Sequence, residues 1–222
     1  MDTKNRLEQI AWKKNLHVCG IDEAGRGCLS GPLVVAAVVL PPNTKNNLLL
    51  DSKIMTEAER NSAYSWIVKH CFFSTVFIDV HTIETRNIYQ TTRFAMKKAY
   101  IQLIETIPFS HQKIQYLITD AMPLTPPQSY RHPSLEIYSP PHAESLSATV
   151  AAASIVAKVT RDRLLKKLAP LFPKFSLEQH KGYGTKKHKQ ALTTYGTTII
   201  HRPSFVLTAT QKRKDHGQQT IC

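Results

Sequence analysis

Apolar and β-branched residues gather in four short runs that predict strands. Leu16 to Ile21 and Leu33 to Leu40 are rich in Val, Ile and Ala, and Gly25, Gly27, Gly31 and Pro32 between them predict two neighbouring strands joined by a tight connection. Cys71 to Val80, with its aromatic and β-branched residues, predicts a third strand. Ile114 to Ile118 predicts a fourth, ending at Thr119-Asp120 and leading into a loop from Ala121 to Pro127. Helical spacing appears elsewhere. The first 13 residues predict a lead-in helix. Thr56-Glu57-Ala58-Glu59 is a capping-box pattern opening a helix to about Lys69. A long helix is expected from Thr82 to Glu105 and an Ala-rich one from Ser145 to Leu168. The second is apolar and buried in its first half, then basic at Lys158, Arg161, Arg163, Lys166 and Lys167. Thr185 reads as the N-cap of a short helix to Thr194. Strands first, then strand–helix alternation, predict a mixed α/β sheet with helices on its faces. No repeat, linker or low-complexity block interrupts residues 14–205. The expected organisation is a lead-in helix at 1–13, one domain at 14–207 and a polar basic tail at 208–222.

Composition narrows the class of function. The 222 residues are 42% hydrophobic, enough for a core, and 29 Lys and Arg against 16 acids leave a net charge of +13. Clustered Lys and Arg favour polyanions through counterion release, so a nucleic acid is the expected partner. The charged start MDTKNRLEQIAWKKN lacks the apolar stretch of a signal peptide. The longest apolar run, Leu33 to Leu40, is too short to span a bilayer, and no membrane partner is expected. Cys19, Cys28, Cys71 and Cys222 show no metal-ligand spacing and no disulfide framework. Cys19 and Cys28 read as buried or half-buried thiols, and the reducing cytoplasm is the simplest compartment.

Against that background four acids draw notice. Asp22-Glu23 closes an apolar strand and precedes Ala24-Gly25-Arg26-Gly27. Alternate strand residues face opposite sides, so both acids can address one site only where the strand is ending. Glycines there allow a sharp turn and close approach to a ligand, and Arg26 adds a possible phosphate or hydroxyl contact. A turn with solvated charges is the competing reading. Asp120 ends another strand, and open α/β sheets place ligand sites at such ends, although an Asp can also simply close a turn. Glu144 opens the Ala-rich helix, where an acid is favourable for dipole reasons alone. Asp162, between Arg161 and Arg163, reads as a structural ion pair. Tyr183, within Lys181-Gly182-Tyr183-Gly184-Thr185, offers a ring to stack on a sugar or base and a hydroxyl to bond, or else merely packs its loop. Lys53, in Asp51-Ser52-Lys53, is either a phosphate ligand or part of a solvated turn. Carboxylates suit hard divalent cations. No phosphate-binding glycine loop or nucleophile motif appears, and scattered His disfavour zinc.

These blocks together resemble the ribonuclease HII family. GIDEAGRGCLSGPLVVAAVVL resembles its opening strand pair with the specific DEAGRG signature. The family order continues as DSK at 51–53, NI at 87–88, TDAM at 119–122, SLSATVAAASIVAKVTRDR at 145–163, KGYGT at 181–185 and HRPSF at 201–205. The resemblance spans about residues 14–206. It implies a ribonuclease H-like fold, a mixed five-stranded sheet flanked by helices with a small C-terminal helical extension. It implies a two-metal site for Mg²⁺ or Mn²⁺ at Asp22, Glu23, Asp120 and Glu144. The fourth position departs from the family, which usually has Asp ten residues before Ser154; Asp162 is the weak reserve. Cys28 stands where Pro is common. Gly25, Arg26 and Gly27 match the element that recognises the ribose 2′-hydroxyl, and Tyr183 matches the Tyr that helps sense the RNA–DNA junction.

The implied activity is endonucleolytic hydrolysis of the RNA strand of RNA–DNA hybrids and cleavage at ribonucleotides embedded in duplex DNA, leaving 5′-phosphate and 3′-hydroxyl ends. The implied partners are those nucleic acids, acting on a monomer; a sliding clamp is conceivable without support from the residues. The nearest rival is ribonuclease HIII, expected to carry an extra N-terminal domain where only 21 residues precede Asp22 here. A catalytically impaired hybrid-binding module is a second rival, invited by Glu144. A generic basic nucleic-acid binder is a third, and it leaves the acids at two strand ends unexplained.

Overall fold

The computed structural model describes residues 5–45 and 47–215, with side chains to 209. In chain order the elements are α1 (Arg6–Lys13), β1 (His17–Ala24), β2 (Leu33–Val39), α2 (Glu57–His70), β3 (Phe72–Ile78), α3 (Val80–Arg86), α4 (Ile88–Thr106), β4 (Ile114–Thr119), β5 (Glu136–Tyr138), α5 (Ala143–Leu146), α6 (Ala148–Leu168), α7 (Leu177–His180), α8 (Lys186–Tyr195) and α9 (Pro203–Asp215). The strands form one five-stranded sheet in the order β3-β2-β1-β4-β5. β1 runs antiparallel to β2 and parallel to β4, and β4 runs parallel to β5. This is the mixed sheet with flanking helices that the sequence predicts.

Two compact units divide the chain. The first holds residues up to 24, 34–77 and 92–160; the second holds 25–33, 78–91 and the residues from 161 on. In the first, β2 is buried along its whole length, and the start of α6 lies hard against β1. A Cβ on Gly20 would sit 2.5 Å from the Thr149 carbonyl carbon and the Val150 nitrogen. The run Ala151-Ala152-Ala153 is therefore a packing feature, since only small residues let helix and strand backbones approach so closely. The core of the second unit is built from Leu29, Leu165, Phe175, Leu177 and Leu192, with Phe205 and Val206 against it.

Four boundaries differ from expectation. The helix expected at 82–105 is two, α3 and α4, separated by Asn87 at φ 62° and ψ 159°, a strained backbone conformation for a residue with a Cβ. The helix expected at 145–168 is broken at Ser147, which is extended (φ −134°, ψ 120°). There α6 is capped from a distance. Glu8 of α1 accepts from the Ser147 hydroxyl, from the Thr149 N–H (3.2 Å) and from the Thr149 hydroxyl (3.0 Å), while Asn5 Oδ1 accepts from the Ala148 N–H (2.7 Å). β1 runs on through Ala24, so Asp22 and Glu23 lie inside the strand as paired with β2, whereas pairing with β4 stops at Ile21 opposite Thr119. The polar stretch expected from 208 begins inside α9, and its residues 216–222, Cys222 among them, lie outside the described residues. Among the described residues no helix is long and apolar enough to cross a membrane.

Candidate active site

The first unit gathers acids at the ends of two parallel strands. Because Ile21 pairs with Thr119, Asp22 and Asp120 are the next residues on adjacent strands that run the same way. Asp22 is buried and its Oδ1 accepts from the Glu23 N–H at 2.7 Å. Burial, then the charges of Glu23 and Asp120, push its carboxyl well above the usual carboxylate range, against the opposing pull of the Glu23 amide and the Ser154 hydroxyl. Ser154 in turn bonds Ser52 at 2.7 Å. The Asp51-Ser52-Lys53 turn is thereby tied to α6 close to Asp22.

The chain bends sharply after Asp120. Ala121 takes a left-handed φ of 47°, its N–H reaching Pro140 O at 3.0 Å. His142 is left-handed too, and the Ala143 N–H donates to Asp120 Oδ1 at 3.0 Å. Asp120 thus anchors the loop that delivers Glu144, the next residue. Glu144 is 2% exposed and its Oε1 accepts from Lys53 Nζ at 3.0 Å. Its buried Oε2 has no hydrogen-bond partner among the described residues. Burial works against charge on Lys53, but the hydrogen bond and charge of Glu144, helped by Asp51 and Asp22, hold its pKa above the ordinary lysine value. Among the described residues no three His, Cys, Asp or Glu side chains converge tightly enough, as they stand, to hold an ion. The Lys53 ammonium supplies the local positive charge at Glu144. The donors are all oxygens, one buried and unsatisfied, beside a carboxyl that resists ionisation. That chemistry fits a hard divalent cation.

The second unit carries the remaining sequence candidates. Gly25 has φ +92°, and a Cβ there would collide with the Arg161 guanidinium. A Cβ on Gly27 would meet open space. Arg26 is half-buried, and its carbonyl accepts from Arg202 Nη1 at 3.0 Å. Tyr183 is 42% exposed; burial, then the neighbouring Cys28 thiol, raises its pKa. Asp162 also lies in this unit, where its charge acts on Tyr183.

Sequence reasoning missed two organisers of this loop. Arg161, fully buried, donates from Nε to Pro32 O (2.9 Å), from Nη1 to Lys181 O (2.8 Å) and from Nη2 to Ser30 O (2.9 Å). Arg202, also fully buried, donates twice to Gly31 O and once to Arg26 O. A forked guanidinium on converging carbonyls fixes a loop backbone as no single-point donor can. The only sequence signal was the position of Arg161 beside a buried apolar stretch and of Arg202 within HRPSF.

Comparison with known proteins places the chain. A family model for Ribonuclease HII matches residues 19–208. Ribonuclease HII of Ligilactobacillus salivarius is 40% identical over 209 residues, covering 92% of this chain and 76% of that one. The crystal structure of ribonuclease H2 from Pyrococcus horikoshii OT3 has a TM-score of 0.69 at 22% identity, covering 90% of this chain and 99% of that one. A structure of Bst-RNase HIII in complex with Mn²⁺ has a TM-score of 0.66 at 17% identity, covering 93% of this chain and 73% of that one.

Proposed function

The chain belongs to the ribonuclease HII family, endoribonucleases that hydrolyse RNA in RNA–DNA hybrids, and from that premise we propose that it also cuts at ribonucleotides embedded in duplex DNA, using two divalent ions held by Asp22, Glu23, Asp120 and Glu144. The observation that carries this reading is the buried acid cluster. Asp22 is crowded by Glu23 and Asp120, and Glu144 keeps one buried oxygen unsatisfied. Uncompensated buried carboxylate is costly, and a cation repays that cost.

Mg²⁺ or Mn²⁺ bound at these oxygens would supply an activated water and charge neutralisation for the departing 3′ oxygen. Asp22 and Asp120 hold the ligand geometry, fixed by the Glu23 and Ala143 amides. Glu144 in place of the family's usual Asp reaches one methylene further and remains a carboxylate ligand. Lys53 passes from Glu144 to a substrate phosphate. Gly25, Arg26 and Gly27 meet the ribose 2′-hydroxyl, which alone separates RNA from DNA at a given nucleotide, and Tyr183 reads the junction beside it.

The test is cleavage of two labelled duplexes, one a continuous hybrid and one DNA with a single ribonucleotide, with Mg²⁺, with Mn²⁺ and with chelator. Both are cut, only with metal, leaving 5′-phosphate ends. Asp120→Asn, which keeps an oxygen acceptor for the Ala143 amide, lowers turnover about a thousandfold or more without lowering the melting temperature. Metal-independent cutting, or Asp120→Asn at wild-type rate, ends the reading. A hybrid cut with the single ribonucleotide spared favours a ribonuclease HIII-like specificity.

A further inference from the structure

We propose that His180, His188 and His201 are positioning residues, which hold the backbone around Tyr183 through one chain of neutral imidazoles and so set how well the enzyme cuts at a lone ribonucleotide. The functional half rests on the reading of Tyr183 given above.

The three rings lie together in the second unit. His180 and His188 stack with centroids 4.3 Å apart, His188 Nε2 lies 3.2 Å from His201 Nε2, and the Phe175 ring covers His201 at 4.6 Å. Their partners assign the protons. His180 Nε2 faces the Phe175 carbonyl at 2.6 Å and must donate, while its Nδ1 accepts from the Gly182 N–H at 3.2 Å. His188 Nδ1 faces the Tyr183 carbonyl at 2.9 Å and must donate, which leaves its Nε2 an acceptor. His201 Nδ1 accepts from the Thr198 N–H at 3.0 Å, so its Nε2–H is the donor to His188. Each ring therefore has one donor and one acceptor nitrogen, each matched to its partner. The Tyr183 N–H meanwhile donates to His180 O at 2.9 Å. Tyr183 is gripped on both sides of its ring-bearing carbon by histidine residues.

Only the neutral state satisfies this chain. A proton on His180 Nδ1 would face the Gly182 N–H, one on His201 Nδ1 the Thr198 N–H, and one on His188 Nε2 the His201 N–H. Burial pushes all three pKa values down, His201 to about 4 with His188 beside it as the second cause. The charged groups that act on His180 are Glu178, Lys181 and Lys187; they partly offset one another. Because the folded values lie below the ordinary 6.5, the rings stay neutral and the positioning intact in the fold as pH passes 6.5, while the stability that their burial lends declines from 6.5 toward the folded values.

Imidazole nitrogen NMR and cleavage kinetics test the proposal together. In the wild type between pH 7.5 and 6, His180 and His201 are expected as Nε2–H tautomers and His188 as Nδ1–H, none of them titrating. A second tautomer, or titration near 6.5, overturns the proposal. For kinetics, the kcat/KM on single-ribonucleotide DNA is divided by that on continuous hybrid, which cancels effects on the cutting chemistry. Tyr183→Ala lowers this ratio; if it does not, the reading of Tyr183 falls, and the functional half of this inference with it. Once it does, His188→Gln, whose amide cannot reach the Tyr183 carbonyl, lowers the ratio about five- to tenfold, the effect of one lost buried hydrogen bond. His188→Asn places an N–H where Nδ1 was and restores the ratio to within about twofold. A lowered ratio in Tyr183→Ala with a wild-type ratio in His188→Gln, or no rescue by His188→Asn, overturns the inference alone.

Discussion

The acid cluster of the first unit and the tyrosine loop of the second both bury ionisable side chains, and they treat them in opposite ways. Asp22 is crowded by like charge, and Glu144 has one oxygen on a largely exposed lysine and the other unsatisfied. In the loop, Arg161 and Arg202 place their N–H groups on carbonyls, and three histidines settle into matched neutral tautomers. One region leaves charge for a ligand to neutralise. The other has used its polar groups to fix its own backbone. A site that must accept cations cannot be satisfied without them, whereas a loop that reads shape must be rigid before the substrate arrives.

The largest effect that would break this comparison lies at Arg161. Arg161→Met keeps helix propensity and volume but strips three carbonyls of their donors, a loss of about 3 kcal/mol or more. For a protein of this size that lowers the melting temperature by roughly 6–12 °C, and added Mn²⁺ does not restore it. A melting curve like that of the wild type would mean that the loop is not built on Arg161.

A medium effect separates the regions by sign. His201 is neutral in the fold and takes up a proton on unfolding below its ordinary 6.5, so acidification from pH 7 to 5 costs the second unit stability. Asp22 is the reverse. Its raised value means that the folded chain takes up a proton first, so the same acidification relieves the first unit. Discounted for solvent screening, the His201 change is on the order of 1 kcal/mol. Hydrogen exchange, corrected for its intrinsic pH dependence, should show weaker protection around residues 180–201 at pH 5 and equal or stronger protection along β1 in metal-free protein. Parallel loss in both places would erase the distinction.

Local chemistry was legible in the sequence and distant chemistry was not. The capping box at Thr56 and Glu59 forms as its spacing predicts, with both reciprocal bonds present, because every partner lies within one turn. The break at Ser147 was invisible because Glu8, which holds it, lies 139 residues away in the chain. β5 has three residues, too few for a pattern of alternation, and only the family resemblance implied a fifth strand. The same divide runs through the candidate site. Asp22 and Asp120 stand out because carboxylates at strand ends are uncommon without a task. Arg161 read only as one of two arginines flanking Asp162 in the basic half of its helix, since its partners are carbonyls, which every residue carries and no sequence pattern marks. The three histidines were hidden for the same reason.

The smallest effect sharpens the comparison most, because it concerns a cation that the acid cluster already has. Lys53 is 67% exposed and bonds a carboxylate that is 2% exposed, so the pair gives little stability, about 0.2–1 kcal/mol. It nevertheless occupies Glu144 Oε1, an oxygen proposed for a metal. A divalent ion must displace the ammonium and then bind beside its charge. Lys53→Gln removes both obstacles and should tighten Mn²⁺ binding, measured calorimetrically without substrate, by about two- to fivefold. The same change should raise KM for the hybrid, since the displaced ammonium is assigned to a substrate phosphate. Weaker Mn²⁺ binding in Lys53→Gln would mean that Lys53 orders Glu144 for the ion instead of competing with it, and the cluster would then be preorganised like the loop.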